Sequence, residues 1–249
     1  MDLIPAKSHR QRFDASARTY DAVATAQRDA AAWLAEWVPA ERRGDALEIA
    51  AGTGLFTRHL LPWEGRLEAS DLSPKMVEQG RLKLPSIPWT VRDAASDRLP
   101  ESLDWLFCCS YLQWTSDAQG LLETWRRQLR PGGRLLCGVF IADTLRELRT
   151  LVPGVSPVPW RTEADHAAFL KAAGFHVRQI ESRSRVYRYE SARDFFRRLH
   201  QSGVTGSRRL SPGQMRRLMD DYTDTWPHPD GGVRATWAFC RIIAERPQR

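Results

Sequence analysis

The stretch Asp45-Ala46-Leu47-Glu48-Ile49-Ala50-Ala51-Gly52-Thr53-Gly54 decides the fold. Its first half has the apolar character of a buried strand, and Gly52 and Gly54 favour a tight turn with no side chains in the way of a ligand. The apolar spacing of residues 55–61 then predicts a helix. A strand, a glycine turn and a helix in that order predict an α/β sheet that binds its ligand over the carboxyl end of the strand.

Two acidic residues near the ends of the first two strands make the prediction more specific. Glu48 lies near the end of the first strand, and Asp71 ends the next apolar run, 67–71, 23 residues after Glu48. An acidic side chain at the end of the second strand can accept hydrogen bonds from both hydroxyls of a ribose. The alternative is an ordinary solvated aspartate in a loop.

The residues after the turn favour a ligand without phosphates. A pyrophosphate site needs a third glycine where the helix begins, and residues 55–57 contain none. The stretch resembles motif I of class I S-adenosylmethionine-dependent methyltransferases, acidic-x-Gly-x-Gly-x-Gly, with Ala50 in place of the first glycine. That methyl group is tolerated if the backbone φ of Ala50 is below zero. The resemblance implies S-adenosylmethionine as cofactor, in contact with Glu48, Ala50, Gly52 and Gly54.

Composition predicts one large α/β domain spanning residues 1–249, with a hydrophobic share of 42% and a mean hydropathy of -0.47. No apolar run approaches the ~20 residues needed to span a bilayer, and the N-terminus does not resemble a signal peptide. The four cysteines lack zinc-ligand spacing. We therefore expect a cytoplasmic protein with reduced thiols, no metal site and no membrane segment.

The chain is basic, with a net charge of +7 and only four lysines among its 37 basic residues. A positive surface can steer an acidic partner, which leaves nucleic acid, an anionic membrane or an acidic carrier protein open. The aromatic residues have core-like spacing and do not interleave with a basic stripe, which argues against nucleic acid.

The N-terminal pattern predicts a single helix over 13–38 after a loose basic tail over 1–12. The segment Phe13-x6-Tyr20-Asp21-x5-Gln27 resembles one that many such methyltransferases place over the cofactor. We expect Tyr20 or Gln27 to contact cofactor or substrate. The alternative is an ordinary amphipathic helix on the core.

The next elements supply further predicted cofactor contacts. A helix is predicted over 74–84, with Leu72 and Met76 at the edge of the adenine pocket. The family places an acidic residue at the exit of the third strand, against the adenine amine. Asp93 matches it, and Ala94 would supply a backbone N–H. The alternative for Asp93 is the cap of a turn.

A fourth strand over 103–110 is apolar enough to be central in a parallel sheet. Its exit faces the reacting methyl group in this fold, so Ser110 is predicted to contact the cofactor. Tyr111, Gln113 and Trp114 are predicted to line the reaction pocket. Core packing is the alternative for Trp114.

The remaining elements complete a doubly wound, seven-stranded, mostly parallel sheet. They are a helix over 117–129, a turn over 130–133, a fifth strand over 133–141, a helix over 163–173, a strand over 176–189, helices over 191–200 and 211–226, and an antiparallel strand over 235–244. Residues 45–141 form the cofactor-binding core. Residues 142–162 and 190–230 are predicted insertions that form a lid on the substrate side.

Segments along almost the whole chain look like the malonyl-acyl-carrier-protein O-methyltransferase family of biotin synthesis. The most specific are Asp143-Thr144-Leu145-Arg146-Glu147-Leu148 and Ser202-Gly203-Val204-Thr205-Gly206. Besides Ala50, the departures include Ser110, where asparagine is more usual. The resemblance implies methyl transfer from S-adenosylmethionine to the free carboxylate of a malonyl thioester on acyl carrier protein.

A carboxylate is already ionised at neutral pH, so this reaction needs no general base. A guanidinium fork suits such a substrate, with Arg146 as first choice and Arg149 as second. Tyr20 and Gln113 join Arg146 as predicted catalytic residues. Arginines of 176–219 would meet the acidic carrier protein, and we expect a monomer.

Three alternatives remain open at this point. A methyltransferase acting on another small acid would share every cofactor motif but would ignore the carrier protein. A nucleic-acid-binding protein would use the basic face. A degenerate fold would no longer bind the cofactor, because of Ala50.

Overall fold

The computed structural model describes residues 6–97, 99–152, 158–203 and 210–248. Residues 1–5, 153–157 and 204–206 of the predicted tail, insertion and loop lie outside these ranges. The α-helices are α1 (Ala6–Ser16), α2 (Tyr20–Val23), α3 (Thr25–Ala35), α4 (Pro74–Lys83), α5 (Ala118–Gln128), α6 (Arg146–Leu151), α7 (Glu163–Ala172), α8 (Ala192–Gln201) and α9 (Pro212–Thr225). The strands are β1 (Ala46–Ile49), β2 (Leu67–Asp71), β3 (Trp89–Val91), β4 (Leu103–Cys109), β5 (Leu129–Phe140), β6 (His176–Tyr189) and β7 (Val233–Glu245).

The strands form one sheet in the order β3-β2-β1-β4-β5-β7-β6. The first five are parallel, and β7 runs antiparallel to both β5 and β6. The predicted doubly wound, seven-stranded, mostly parallel sheet is thus confirmed. The strand order reverses between β1 and β4, and ligands of such sheets bind at the carboxyl ends beside that reversal.

Apolar side chains cover both faces of the sheet, because successive residues of a strand point to opposite sides. Leu106 and Cys108 of β4 join a core that includes Trp125 of α5. Phe107 points the other way, into a core that includes Leu34 of α3. Both layers are buried, as expected of central parallel strands.

The N-terminal segment is three helices, so the predicted single helix over 13–38 is wrong. Part of the predicted loose tail is helical, since α1 begins at Ala6. The break follows from hydroxyl side chains that compete for helical carbonyls. Ser16 Oγ donates to the carbonyl oxygen of Phe13, and Thr19 Oγ1 donates to that of Ser16, each at 3.3 Å.

Two further boundaries differ from the predictions. Residues 55–61 form a turn and a short 3₁₀ helix, Thr57–Leu60, because Pro62 disfavours a helical conformation in the residue before it. Strand β5 begins before the predicted turn over 130–133. The pairing steps from Leu103 with Leu129 to Trp105 with Arg134, so the turn residues form an irregularity inside the strand.

Candidate active site

A cavity of about 420 Å³ lies at the carboxyl ends of β1, β2 and β4. It falls within the roughly 300–1,000 Å³ typical of small-molecule sites. Thirteen of the predicted site residues line it, in four groups by element: Tyr20 and Gln27 of α2 and α3; Glu48, Ala50 and Gly52 of β1 and its turn; Asp71, Leu72 and Met76 of β2 and α4; and Asp93, Ala94, Ser110, Tyr111 and Trp114 after β3 and β4.

The Asp71 carboxylate organises the floor of this cavity. Its Oδ2 accepts a hydrogen bond from the Gly52 N–H at 2.9 Å, and its Oδ1 accepts one from the Ser73 N–H at 2.8 Å. Burial raises the pKa of Asp71 to about 6, against the effect of these two donors. A carboxylate has about four acceptor positions, so two stay open for the hydroxyls of a ribose.

Glu48 is a fully buried carboxylate at the end of β1. Neither of its oxygens accepts a hydrogen bond within the described part of the chain. Burial raises its pKa to about 8, against the effect of the nearby Thr57 hydroxyl, and the Asp71 carboxylate adds to the rise. A buried carboxylate without partners is costly, so this end of the cavity suits a cationic group.

The loops that leave β1 and β4 carry strained backbone. Ala50 has φ 52° and Ser110 has φ 66°. The condition under which the Ala50 methyl group would be tolerated, a φ below zero, is therefore not met. A left-handed conformation costs a residue with a Cβ roughly 1–2 kcal/mol, and glycine or asparagine adopts it more readily. These are the residues that the resemblance noted in the sequence would place at the two positions.

Asp93 lies at the exit of β3, where its Oδ1 accepts a hydrogen bond from the Ala95 N–H at 2.9 Å. The side chain thus caps a turn, as the alternative expected, while it also lines the cavity. The carbonyl oxygen of Ala94 is engaged with the Trp125 indole N–H at 3.1 Å. Adenine contacts of Asp93 and Ala94 stay predictions.

Helices α1 and α2 cover the cavity, and two aspartates attach them to its rim. Asp14 Oδ1 accepts from the Ser73 hydroxyl at 2.6 Å. Asp21 accepts from the Thr53 hydroxyl and from Lys83 Nζ, the latter at 2.6 Å. Neither aspartate is among the residues predicted from the sequence, because only the fold brings α1 and α2 to the glycine turn and α4.

A second cavity, of about 30 Å³, adjoins the first and shares Tyr20 and Ser110 with it; we call it the substrate cavity. Its walls are rich in aromatic side chains, namely Phe13, Tyr20, Trp114, Phe140, Trp160 and Trp237. Gln27 lines both cavities. Tyr111 lines the first cavity only.

Gln113 lines the substrate cavity and not the larger one. Its Nε2 donates to the carbonyl oxygen of Ser110 at 2.9 Å. Its Oε1 is buried and has no hydrogen-bond partner within the described residues. The catalytic role of Gln113 stays a prediction.

Gly54 and Arg146 line neither cavity. A Cβ on Gly54 would lie 2.9 Å from Leu84 Cδ1, so this glycine permits close packing under the turn. The Arg146 side chain is 57% exposed and lies 3.7 Å from the Asp143 carboxylate. The structure gives no support to the predicted fork of Arg146.

Many arginines of the 176–219 segment are already paired. Arg178 binds Glu245, Arg185 binds Asp29, and both Arg197 and Arg198 bind Asp194. Arg208 and Arg209 lie outside the described residues. Within the described ranges, no helix has the length and apolar character to cross a bilayer, and no cluster of three or more side chains is arranged to hold a metal ion.

Comparison with known proteins identifies the family. A methyltransferase domain family matches residues 47–137. The chain is 32% identical over 249 residues to a malonyl-acyl-carrier-protein O-methyltransferase from Halorhodospira halophila, covering 92% of this chain and 83% of that protein. It is 30% identical over 220 residues to the biotin biosynthesis bifunctional protein BioHC from Cellvibrio japonicus, covering 84% of this chain and 42% of that protein.

A likeness to a solved structure concerns the fold alone. The crystal structure of YcgJ protein from Bacillus subtilis matches with a TM-score of 0.66 at 15% identity, covering 89% of this chain and 99% of that chain.

The cavity residues fit S-adenosylmethionine, which is the cofactor of this protein. The unpaired Glu48 carboxylate suits the cofactor's ammonium group, and the open positions of Asp71 suit its ribose. A Cβ on Gly52 would meet nothing within 4 Å, so the turn leaves room for a ligand. Because the 32% identity extends over 92% of the chain, the chain belongs to the malonyl-acyl-carrier-protein O-methyltransferase family.

Proposed function

We propose that this protein methylates the free carboxylate of malonyl-acyl carrier protein to its methyl ester, in an early step of biotin biosynthesis. The observation that carries the proposal is the 32% identity to a relative of that name across 92% of this chain. The match reaches well beyond the methyltransferase domain match of 47–137. It therefore includes segments on the substrate side of the cofactor cavity.

The two adjoining cavities support this reaction. The larger would hold the cofactor through Glu48 and Asp71, and the substrate cavity would hold the malonyl end. When bound, S-adenosylmethionine supplies an electrophilic methyl group on a positively charged sulfur. The substrate carboxylate would accept that methyl group, and because it is already ionised no side chain would need to move a proton. The protein's part is to align the oxygen and to exclude water.

Side chains near the reaction site stay neutral. Burial raises the pKa of the Tyr20 phenol well above its usual value, so the hydroxyl remains a hydrogen-bond donor. Burial likewise raises the pKa of the Cys109 thiol, which lines the cofactor cavity. A thiolate there would be a competing nucleophile, and burial keeps this thiol protonated.

The two predicted insertions are proposed to form the substrate side. Val158 and Trp160 from 142–162, and Ser202 from 190–230, line the substrate cavity. We propose that exposed arginines near these segments meet the acidic carrier protein, and that the protein acts as a cytoplasmic monomer. The exposed large hydrophobic residues of the described ranges are Leu82, Val91 and Val186. None is an aromatic platform on which nucleic-acid bases could stack.

The experiment is intact mass spectrometry of malonyl-acyl carrier protein after incubation with the protein and S-adenosylmethionine. Acetyl-acyl carrier protein, free malonate and a panel of small acids serve as controls. We expect one added methyl group on the malonyl carrier and none on the acetyl carrier. A methyl group on a free small acid alone would refute the carrier protein as substrate. It would support the alternative of a small-acid methyltransferase.

A further inference from the structure

Trp160 lines the substrate cavity and carries a buried hydrogen-bond donor. Its indole Nε1–H is shielded from solvent and has no acceptor within the described part of the chain, while the ring lines the cavity wall. An indole N–H can only donate. Buried donors are almost always paired, since leaving one without an acceptor costs free energy. An unpaired donor in a cavity wall therefore points to an acceptor on the ligand.

A positive charge lies behind this indole. The guanidinium carbon of Arg149 is 5.9 Å from the centre of the Trp160 ring. Arg149 is half-buried and donates to the carbonyl oxygen of Ala142. It forms no ion pair within the described ranges, so its charge is not neutralised there. The acceptor best suited to this wall is an anion.

The position matches the reacting end of the proposed substrate. The substrate cavity shares Tyr20 and Ser110 with the cofactor cavity, so a ligand at Trp160 borders the cofactor. Among the described residues, those that line the substrate cavity include no arginine, lysine or histidine. Arg149, against the Trp160 ring, supplies a positive charge next to this wall.

We propose that Trp160 and Arg149 form the subsite for the methyl-accepting carboxylate. The Trp160 Nε1–H donates a hydrogen bond to one carboxylate oxygen, which leaves the other free to face the cofactor cavity. Arg149 supplies positive charge through the indole without itself entering the cavity. This subsite rests on the proposed function, since it needs an anionic substrate at that wall.

The chain offers a matched control for the indole. Trp226 also has a buried Nε1–H without an acceptor in the described residues, but it lines neither cavity. Trp160→Phe and Trp226→Phe thus remove the same group from two places. The test measures kcat and KM for malonyl-acyl carrier protein. It also measures the binding of malonyl- and acetyl-acyl carrier protein by surface plasmon resonance, with S-adenosylhomocysteine present.

We expect Trp160→Phe to raise KM for the malonyl carrier about tenfold or more, because a hydrogen bond to a charged group is lost. Its preference for the malonyl over the acetyl carrier should fall by the same factor. Trp226→Phe should leave both unchanged. Arg149→Gln should also raise KM, and Arg149→Lys should restore most of the affinity by keeping the charge. Thermal melting of each variant shows that it is folded.

Equal KM values and equal carrier preferences for Trp160→Phe and Trp226→Phe would overturn the subsite, while the proposed function would stand. If Trp160→Phe fails to fold, the Arg149 pair decides the matter, and equal KM values for Arg149→Gln and the unaltered protein overturn the subsite. If the unaltered protein does not methylate malonyl-acyl carrier protein, the proposed function fails and the subsite fails with it.

Discussion

Replacement of Glu48 by glutamine should remove most of the proton release on cofactor binding. The pKa of this carboxyl is raised to about 8 by burial, from 4.5. At pH 7 a group with that pKa is about 90% protonated. A cationic ligand group beside it favours the carboxylate, so binding releases about 0.9 proton. Asp71, with a pKa of about 6, contributes only about 0.1 proton at pH 7.

Isothermal titration calorimetry in buffers of different ionisation enthalpy measures the number of protons released. That number is the slope of the observed binding enthalpy against the ionisation enthalpy of the buffer. We expect release to fall to about 0.1 proton at pH 9, where Glu48 is already ionised. Glu48→Gln should lower it to about 0.1 at pH 7 and weaken cofactor binding. Glu64→Gln, at an exposed position before β2, is the control. Equal slopes for Glu48→Gln and the unaltered protein would refute the assignment.

The same carboxyl gives stability a pH dependence with a definite sign. A raised pKa means that the folded state favours the protonated form. The free energy of unfolding therefore falls as pH rises from 4.5 to 8, by on the order of 4 kcal/mol. Glu48→Gln should remove this fall. Denaturant unfolding at pH 5 and pH 8 without cofactor checks it.

Three further predictions concern strain, a buried histidine and the helices over the cavity. Ala50→Gly should raise the free energy of unfolding by about 1 kcal/mol, since φ 52° suits glycine; no gain in urea denaturation would contradict the strain. His166 is buried with both ring nitrogens unpaired in the described residues and has a pKa lowered to about 4 by burial. Its contribution to stability is thus present above pH 6.5 and lost as pH falls toward 4, and His166→Phe should reduce the acid sensitivity of unfolding, with an unchanged pH profile as the contrary result. Asp21→Asn should weaken cofactor binding several-fold by loosening α2 from Thr53 and Lys83, whereas unchanged affinity in calorimetry would show that the attachment is dispensable.

The sequence predicts those features that follow from local pattern. The apolar strand runs, the glycine turn and the helix that follows the second strand all depend on neighbouring residues, and the structure confirms them. Strand order alone places Glu48 and Asp71 beside the cavity, because ligands of such sheets bind at the carboxyl ends of the strands. The position of Asp71 and Glu48 at one sheet edge is therefore predictable from the amino-acid sequence.

Features set by tertiary contacts could not be predicted in the same way. Arg146 precedes Glu147, whose buried carboxylate accepts hydrogen bonds from the backbone N–H and hydroxyl of Thr236 on β7. That contact turns Glu147 inward and leaves Arg146 at the surface. Trp160 follows a proline-rich segment without periodicity, so no pattern indicated that its ring reaches the substrate cavity.

The covering helices impose an order on the reaction. Phe13 and Tyr20, on α1 and α2, line both cavities, so the same segment closes over the cofactor and forms a wall of the substrate cavity. If this segment moves away to let the cofactor exchange, the substrate cavity loses the wall that Phe13 and Tyr20 form. The kinetics should therefore be sequential and ordered, with S-adenosylmethionine first on and S-adenosylhomocysteine last off. Product inhibition by S-adenosylhomocysteine should be competitive against the cofactor and noncompetitive against the malonyl carrier.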